Sequence, residues 1–269
     1  MPRISPVWPV VALLLTALVV GCYTVPETGR QSLMLVPAAQ MNALGVQSFQ
    51  QIKREERVSA DSEAAARVRR VGGRIAQVAA KDTGIQPGDW ELVTFASDQN
   101  NAFALPGGKV GVYEGILALA RTDAELATVL GHEAAHVAAR HGGERMSELL
   151  VIAMGGMALS QALRDEPERT RELFLLAYGV GTQVGRVLPH SRRQELEADR
   201  IGLLYMARAG YDPSAAIRFW ERMEAAAEGG GTPAFLSTHP SHGQRIERLR
   251  RWMPEAKAAY RAAREADGP

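Results

Sequence analysis

The stretch His132-Glu133-Ala134-Ala135-His136 has the residue types and the spacing of a metal site carried by a helix. At about 100° per residue, His132 and His136 lie one turn apart on the same helix face. Two imidazoles in that position can bind one metal ion. Glu133 lies close enough to act as a general base without being a ligand. This is the His-Glu-x-x-His pattern, and it predicts two zinc ligands with a neighbouring base.

The flanking residues predict that this motif lies inside one amphipathic helix, residues 122–141. Thr122 and Glu125 have the spacing of a capping box at its start. The sequence His141-Gly142-Gly143 predicts its end. The alternative is a surface helix on which the two histidines make only local hydrogen bonds.

The composition favours one large, mostly helical domain. A chain of 269 residues can bury an apolar core, and helix-favouring residues dominate. The net charge of +1 gives no electrostatic reason to expect nucleic acid, and the single cysteine excludes an intrachain disulfide or a cysteine-rich zinc site. We predict an α+β fold, mostly helical, with a small β-sheet beside the metal helix. Residues 37–253 are predicted as a single domain and residues 254–269 as a polar C-terminal tail.

The N-terminal segment has the pattern of a secretion signal. Residues 10–20 form an apolar run that is short for a membrane span, and Cys22 follows it. This ending resembles the bacterial lipobox, in which the cysteine is acylated; an uncleaved anchor with a buried cysteine is the alternative. We predict a lipoprotein signal peptide at residues 1–21, lipidation at Cys22 and a linker at residues 22–36. By resemblance to such lipoproteins, Tyr23 favours the outer membrane over the inner one.

A small sheet is predicted directly before the metal helix. Residues 90–95 alternate as a strand, and residues 101–105 and 109–113 flank a Pro-Gly-Gly turn, as in a hairpin. Zinc peptidases hold an extended substrate against a sheet edge through main-chain hydrogen bonds. The candidate edge consists of Asn101, Ala102, Phe103 and Ala104. A purely structural hairpin is the alternative.

A catalytic zinc site needs a third protein ligand and leaves the fourth position for water. The downstream candidates are His141, His190, Glu195, Glu197, His239 and His242. No histidine stands six residues after His136, which excludes the metzincin pattern. Glu195 and Asp199 share one helix face, whereas Glu197 is about 200° away from Glu195. Glu195 as ligand, with Asp199 orienting an imidazole, is the preferred assignment; an exposed charge at Glu195 is the alternative.

Four features, in order, resemble the zinc metallopeptidase family of the CAAX prenyl protease and the membrane heat-shock protease, in its soluble bacterial lipoprotein branch. They are Asn101–Ala104 with Pro106-Gly107-Gly108, His132–His136, Glu195–Asp199, and Ser237–Ser241 with Arg245-Ile246. The resemblance implies a zincin-like fold of the gluzincin type and one zinc ion per chain, bound by His132, His136 and Glu195.

The same resemblance places His239 at the active site. There it would either stabilise the oxyanion during peptide attack or occupy the open zinc position and inhibit the enzyme. Capping of a helix by His239 is the alternative. Arg245 would contact a carboxylate at the site.

Motif and resemblance together predict a zinc-dependent endopeptidase that cuts misfolded or unassembled envelope proteins, with Glu133 taking a proton from zinc-activated water. The predicted location is the cell envelope, lipid-anchored at the periplasmic face of the outer membrane. The expected partners are polypeptide substrates and outer-membrane assembly machinery, with no nucleic acid. The alternative is a lipid-anchored chaperone or assembly factor for outer-membrane proteins. It would have a latent zinc site and a helical hairpin within residues 144–188 as its binding surface.

Overall fold

The computed structural model describes residues 21–183, 187–228, 233–239 and 245–266. In these ranges the helices are α1 Ala38–Glu55, α2 Ser62–Thr83, α3 Glu114–Leu119, α4 Asp123–Ala138, α5 His141–Ala162, α6 Glu168–Thr182, α7 Leu188–Arg208, α8 Ser214–Glu228, α9 Ala234–Thr238 and α10 Arg245–Ala266. The strands are β1 Cys22–Thr24, β2 Gln31–Leu33, β3 Glu91–Phe95, β4 Ala102–Leu105 and β5 Lys109–Tyr113. The predicted fold class, mostly helical α+β with a small sheet beside the metal helix, is confirmed.

The sheet next to the metal helix has the order β3-β5-β4. Strands β3 and β5 are parallel, and β4 pairs antiparallel with β5 through the predicted hairpin. Gly107 and Gly108 both have positive φ in its turn, which glycine adopts without strain. Strand β4 is therefore an edge strand of this sheet.

Helix α4, which carries the motif, is the central element of the core. Its capping box is formed as predicted, with Thr122 and Glu125 each bonding to the other's backbone. It packs mainly against α7 and α2. A Cβ on Gly131 of α4 would lie 2.7 Å from the carbonyl oxygen of Gly202 of α7, and one on Gly202 would lie 2.7 Å from the backbone nitrogen of His132. The two helices therefore cross at a contact that only glycine permits.

Helix α4 ends earlier than its glycines predict. Its last residue is Ala138, and Arg140 adopts the left-handed conformation, with φ of 54°. His141 then begins α5 and is fully buried. The predicted end at His141-Gly142-Gly143 is wrong because the chain changes direction earlier, at Arg140. This change of direction turns His141 inward.

Residues 22–36, predicted as a linker, contain an antiparallel hairpin of β1 and β2. The hydroxyl of Tyr23 donates to the carbonyl oxygen of Ala138 at 2.8 Å, which ties this hairpin to the end of α4. The predicted signal peptide lies outside the described residues except for its last residue. Cys22 is exposed at the start of β1, and its lipidation stays a prediction.

Residues 254–266 of the predicted C-terminal tail form the end of α10, which runs through Pro254 to Ala266. Ala256 of this segment is buried, so the tail packs on the core rather than lying apart from it.

Helices α5 and α6 form the predicted helical hairpin, with Tyr178 bonding to the carbonyl oxygen of Ile152 at 2.8 Å. Its outer surface is unusually apolar. The exposed large apolar side chains are Met146, Leu149, Leu150, Val151, Met154, Met157, Leu173, Phe174, Leu176 and Val180. Within the described ranges, no helix has the length and apolar character needed to cross a membrane.

Candidate metal centre

The two histidines of the motif meet at one point inside the protein. His132 and His136 are 2% and 6% exposed. Their Nε2 atoms lie 3.1 Å apart. Helical spacing alone thus brings two metal-binding nitrogens together, as expected for residues one turn apart.

Helix α7 brings Glu195 to the same point. Its Oε2 lies 3.2 Å from Nε2 of His132, and its Oε1 lies 3.5 Å from Nε2 of His136. The close crossing of α4 and α7 at Gly131 and Gly202 makes this approach geometrically feasible. Among the other downstream candidates, His242 and the side chain of His190 lie outside the described residues.

A fourth donor comes from His239, the residue after α9. Its Nδ1 lies 3.2 Å from Nε2 of His132 and 3.1 Å from Oε2 of Glu195. The donor atoms of all four residues lie within 4.8 Å of one another, and all four residues are buried.

This donor set fits zinc. With zinc–nitrogen and zinc–oxygen bonds of about 2.0–2.2 Å, neighbouring donors of a tetrahedral site lie roughly 3.3–3.5 Å apart. The donor pairs measured here, at 3.1–3.5 Å, are close to that spacing. Three imidazoles and a carboxylate are also typical zinc ligands, so the predicted cofactor agrees with the site. Four protein donors would fill a tetrahedral site and leave no position for water.

Asp199 and Arg245 contact the ligands, and Nη2 of Arg245 lies 3.4 Å from Oε2 of Glu195. Oδ1 of Asp199 lies 3.0 Å from Nδ1 of His132, and Nε of Arg245 donates to Oδ2 of Asp199 at 2.6 Å. Arg245 also packs over the ring of Trp220 at 3.9 Å. Burial would lower the pKa of His132, but Asp199 and Glu195 raise it to about 9.

Glu133 is adjacent to the donor set but not part of it. It is 1% exposed, and its Oε1 lies 3.3 Å from Nε2 of His239. Burial raises the pKa of Glu133, against opposing effects of His239 and His132. A raised pKa brings a carboxylate closer to the range in which it can take up and release a proton near neutral pH.

The predicted substrate edge lies next to Glu133. The N–H of Tyr113 donates to the carbonyl oxygen of Asn101, so in the alternating antiparallel pattern Ala102 and Ala104 direct their backbone groups away from β5. The backbone of Ala104 hydrogen bonds to Glu133. The side chain of Phe103, the remaining residue of the predicted edge, packs among Phe95 and other aromatic rings.

A cavity of about 320 Å³ lies beside this edge and reaches the metal centre at His136. Ala104, Leu105 and Pro106 form one wall, and His136 contributes to another. The β1–β2 hairpin and the start of α1 close the remaining sides.

Two groups of contacts were missed by sequence reasoning. Phe235 stacks on His239 at 4.5 Å between ring centres, a contact that its position four residues before His239 could have suggested. Arg30 reaches Glu197 and Glu144 from the N-terminal hairpin, and nothing in the sequence connects residues so far apart. His141 and Glu197, both considered as ligands, are not among the four donors. Nε2 of His141 lies 3.0 Å from Oε2 of Glu197.

Comparison with known proteins gives a consistent result. Residues 62–253 match the model described as Peptidase family M48. The chain is 44% identical over 176 residues to mitochondrial metalloendopeptidase OMA1 of Schizosaccharomyces pombe, covering 62% of this chain and 48% of that protein. It is 32% identical over 240 residues to the mitochondrial metalloendopeptidase OMA1 of Homo sapiens, covering 86% of this chain and 46% of that protein. It is 32% identical over 169 residues to a putative beta-barrel assembly-enhancing protease of Vibrio cholerae, covering 58% of this chain and 34% of that protein. The chain spans about half or less of the length of these relatives.

These relatives correct the predicted location. Two that match at 44% and 37% identity are named as mitochondrial proteases. Two bacterial relatives match at 32%. The predicted location in a bacterial cell envelope, at the periplasmic face of the outer membrane, is therefore wrong.

Proposed function

Since the chain belongs to peptidase family M48, we propose that it is a zinc-dependent endopeptidase that cuts extended polypeptides. The observation that carries this proposal is the convergence of His132, His136 and Glu195 beside a buried carboxylate, Glu133. Two helices from distant parts of the chain contribute these groups. Membership of peptidase family M48 is shown, whereas the likeness to the CAAX prenyl and heat-shock proteases and the bacterial lipoprotein branch are not confirmed.

Each group has a distinct task in peptide hydrolysis. Zinc, when bound, supplies a Lewis acid that brings the pKa of water towards about 7 and polarises the peptide carbonyl. Glu133 accepts the proton of the attacking water and passes it to the leaving amine. Asp199 accepts a hydrogen bond from Nδ1 of His132 and so holds that ring with Nε2 directed to the metal. Arg245 fixes Asp199 in turn.

Strand β4 provides a binding edge for the substrate. An added strand would pair with the outward carbonyl oxygens of Ala102 and Ala104, whose N–H groups bond to Asn101 and Glu133. A side chain of that substrate would enter the cavity bounded by Leu105, Pro106 and His136. Backbone pairing favours an unfolded or flexible polypeptide over a folded one, because only an extended segment can join the edge.

The direct experiment combines metal analysis with cleavage of an unfolded protein such as casein. We expect about one zinc ion per chain, cleavage that stops when a chelator removes the metal, and recovery when zinc is restored. Zinc-loaded protein that cuts no unfolded substrate, in the wild type and also in the His239→Ala variant described next, would contradict the proposal.

We expect the substitution His239→Ala to raise kcat/KM for casein. The imidazole of His239 is the fourth donor and also contacts Glu133, so it occupies the position that water needs. A rise of about tenfold would correspond to roughly 1.4 kcal/mol of preference for the state with His239 in place. Steady-state kinetics and zinc affinity should be measured together, because loss of one donor should also weaken zinc binding.

The matched control is Ser237→Ala on the same short helix, where Ser237 is exposed. It should leave both quantities near the wild-type values. A fall in kcat/KM for His239→Ala, with zinc still bound, would instead assign His239 to stabilisation of the oxyanion.

A second candidate function is binding of unfolded proteins without cleavage. The observation in its favour is the four-donor set, together with the exposed apolar surface of α5 and α6, since large apolar patches mark protein-binding surfaces. This function requires no general base. This candidate would be supported if the wild-type protein prevents the aggregation of a denatured protein and neither the wild type nor the His239→Ala variant cuts it.

A further inference from the structure

Arg30 connects the N-terminal hairpin to the interior of the domain. It lies between β1 and β2 and reaches two buried carboxylates, with Nη1 at 2.5 Å from Oε1 of Glu144 and Nη2 at 2.7 Å from Oε2 of Glu197. Thr28 of the same turn donates to Oε1 of Glu197 at 2.5 Å. Both residues of the turn precede the region that matches the family model.

Glu197 also contacts His141, and His141 contacts a ligand of the metal centre. Oε2 of Glu197 lies 3.0 Å from Nε2 of His141, and Nδ1 of His141 lies 2.8 Å from Nδ1 of His136. The other nitrogen of His136, Nε2, belongs to the donor set. A continuous line of contacts therefore runs from Arg30 to a zinc ligand.

The hydrogen-bonding capacities of these groups determine where the protons lie. Glu197 is an ion-paired carboxylate, since it accepts hydrogen bonds from Thr28 and from Nε and Nη2 of Arg30. An anionic carboxylate only accepts, so Nε2 of His141 carries a proton. Nε2 of His136 lies at the donor set, and a nitrogen that binds zinc carries no proton, so the proton of this ring lies on Nδ1. Nδ1 of a neutral His141 is then an acceptor, and Nδ1 of His136 must be the donor.

We propose that Arg30, Glu197 and His141 are positioning residues that hold His136 in the tautomer whose Nε2 lone pair faces the zinc. The N-terminal hairpin, through Arg30, therefore helps to position a ligand of the metal centre. Asp199 has the same task at His132, so both imidazoles of the motif have a dedicated partner. This inference rests on the zinc site of the proposed function but not on peptide cleavage.

Two isosteric substitutions test the inference. Glu197→Gln replaces the carboxylate that accepts from Nε2 of His141 and from Arg30 by an amide with a single acceptor oxygen, which weakens the contact with His141. Glu144→Gln alters the other carboxylate that binds Arg30, whereas the hydrogen-bond partner of Nε2 of His141 is Glu197. Loss of such an outer contact typically weakens metal binding by about 10–100-fold. We expect that loss for Glu197→Gln and close to wild-type zinc affinity for Glu144→Gln, measured by competition with a chromophoric chelator.

Two further readouts separate positioning from general stability. The melting temperature of metal-free protein reports damage to the fold, and the visible spectrum of the cobalt-substituted protein reports the ligand geometry. A changed cobalt spectrum in Glu197→Gln, but not in Glu144→Gln, supports the inference. Equal losses of zinc affinity in both variants, or no loss in either, would overturn it.

The wild-type protein provides a test that needs no variant. Long-range nitrogen–proton NMR of zinc-loaded protein with labelled histidine should show His136 protonated at Nδ1 and His141 at Nε2. The opposite tautomer at either ring would refute the inference. If zinc-loaded protein has these tautomers but cuts nothing, both as the wild type and as His239→Ala, that result would refute only the proposed peptidase function.

Discussion

Replacing Glu133 by glutamine should leave zinc bound and lower kcat/KM for casein by about 10²–10⁴-fold, the usual contribution of a general base. Glutamine has nearly the same shape, so the buried site should remain packed, but an amide cannot accept the proton of the attacking water. Glu133 is not among the four donors, and its removal should therefore spare metal affinity. Kinetics and zinc content of the same preparation provide the measurement.

Glu125→Gln is the matched control for that variant. Glu125 is also a buried glutamate of α4, 2% exposed, but its carboxylate binds Arg222 and the backbone of the capping box rather than the metal centre. Its replacement should lower the free energy of unfolding by about 1–3 kcal/mol, the cost of a weakened buried contact, and leave kcat/KM close to the wild-type value. Full activity of Glu133→Gln would remove Glu133 from its role as base.

Gly202→Ala should destabilise the protein although alanine favours helices over glycine. The new Cβ would lie 2.7–2.9 Å from backbone atoms of Gly131 and His132, and backbone cannot move aside as a flexible side chain can. Forcing α4 and α7 apart should lower the free energy of unfolding by about 1–3 kcal/mol, as overpacking does elsewhere. It should also weaken zinc binding, because the helices carry the paired imidazoles and Glu195.

The control for the glycine variant is Gly73→Ala in α2, where an added Cβ meets nothing within 4 Å. This change should raise the free energy of unfolding by about 0.5–1 kcal/mol through helix propensity alone. Urea unfolding of both variants gives the comparison. A Gly202→Ala protein as stable as Gly73→Ala would show that the helix crossing tolerates a side chain.

The sequence predicted the local parts of the site well, because they depend on helix geometry. Thr122 and Glu125 form their capping box, and the angle of about 200° between Glu195 and Glu197 predicted that the two face apart, as they do, with Glu197 towards His141. Such positions follow from about 100° per residue and need no knowledge of the tertiary structure.

The parts that depend on tertiary contacts could not be predicted. Strands β1 and β2 have three residues each, too few to show alternation, so their segment looked like a linker. The sequence predicted that glycines would end α4, but the left-handed conformation of Arg140 ends it first. Residues other than glycine rarely adopt this conformation. Arg30 meets Glu197 across 167 positions of the chain, and spacing rules say nothing at that range.

The four metal donors are unequally anchored, and this has a consequence for how the ion is acquired. His132, His136 and Glu195 belong to two long helices packed at the centre of the apolar core, whereas His239 follows a helix of five residues. A core of this size does not need an ion to fold, unlike the small zinc fingers that unfold without metal. We therefore expect the newly made chain to fold first and load its zinc afterwards, from the side that His239 covers.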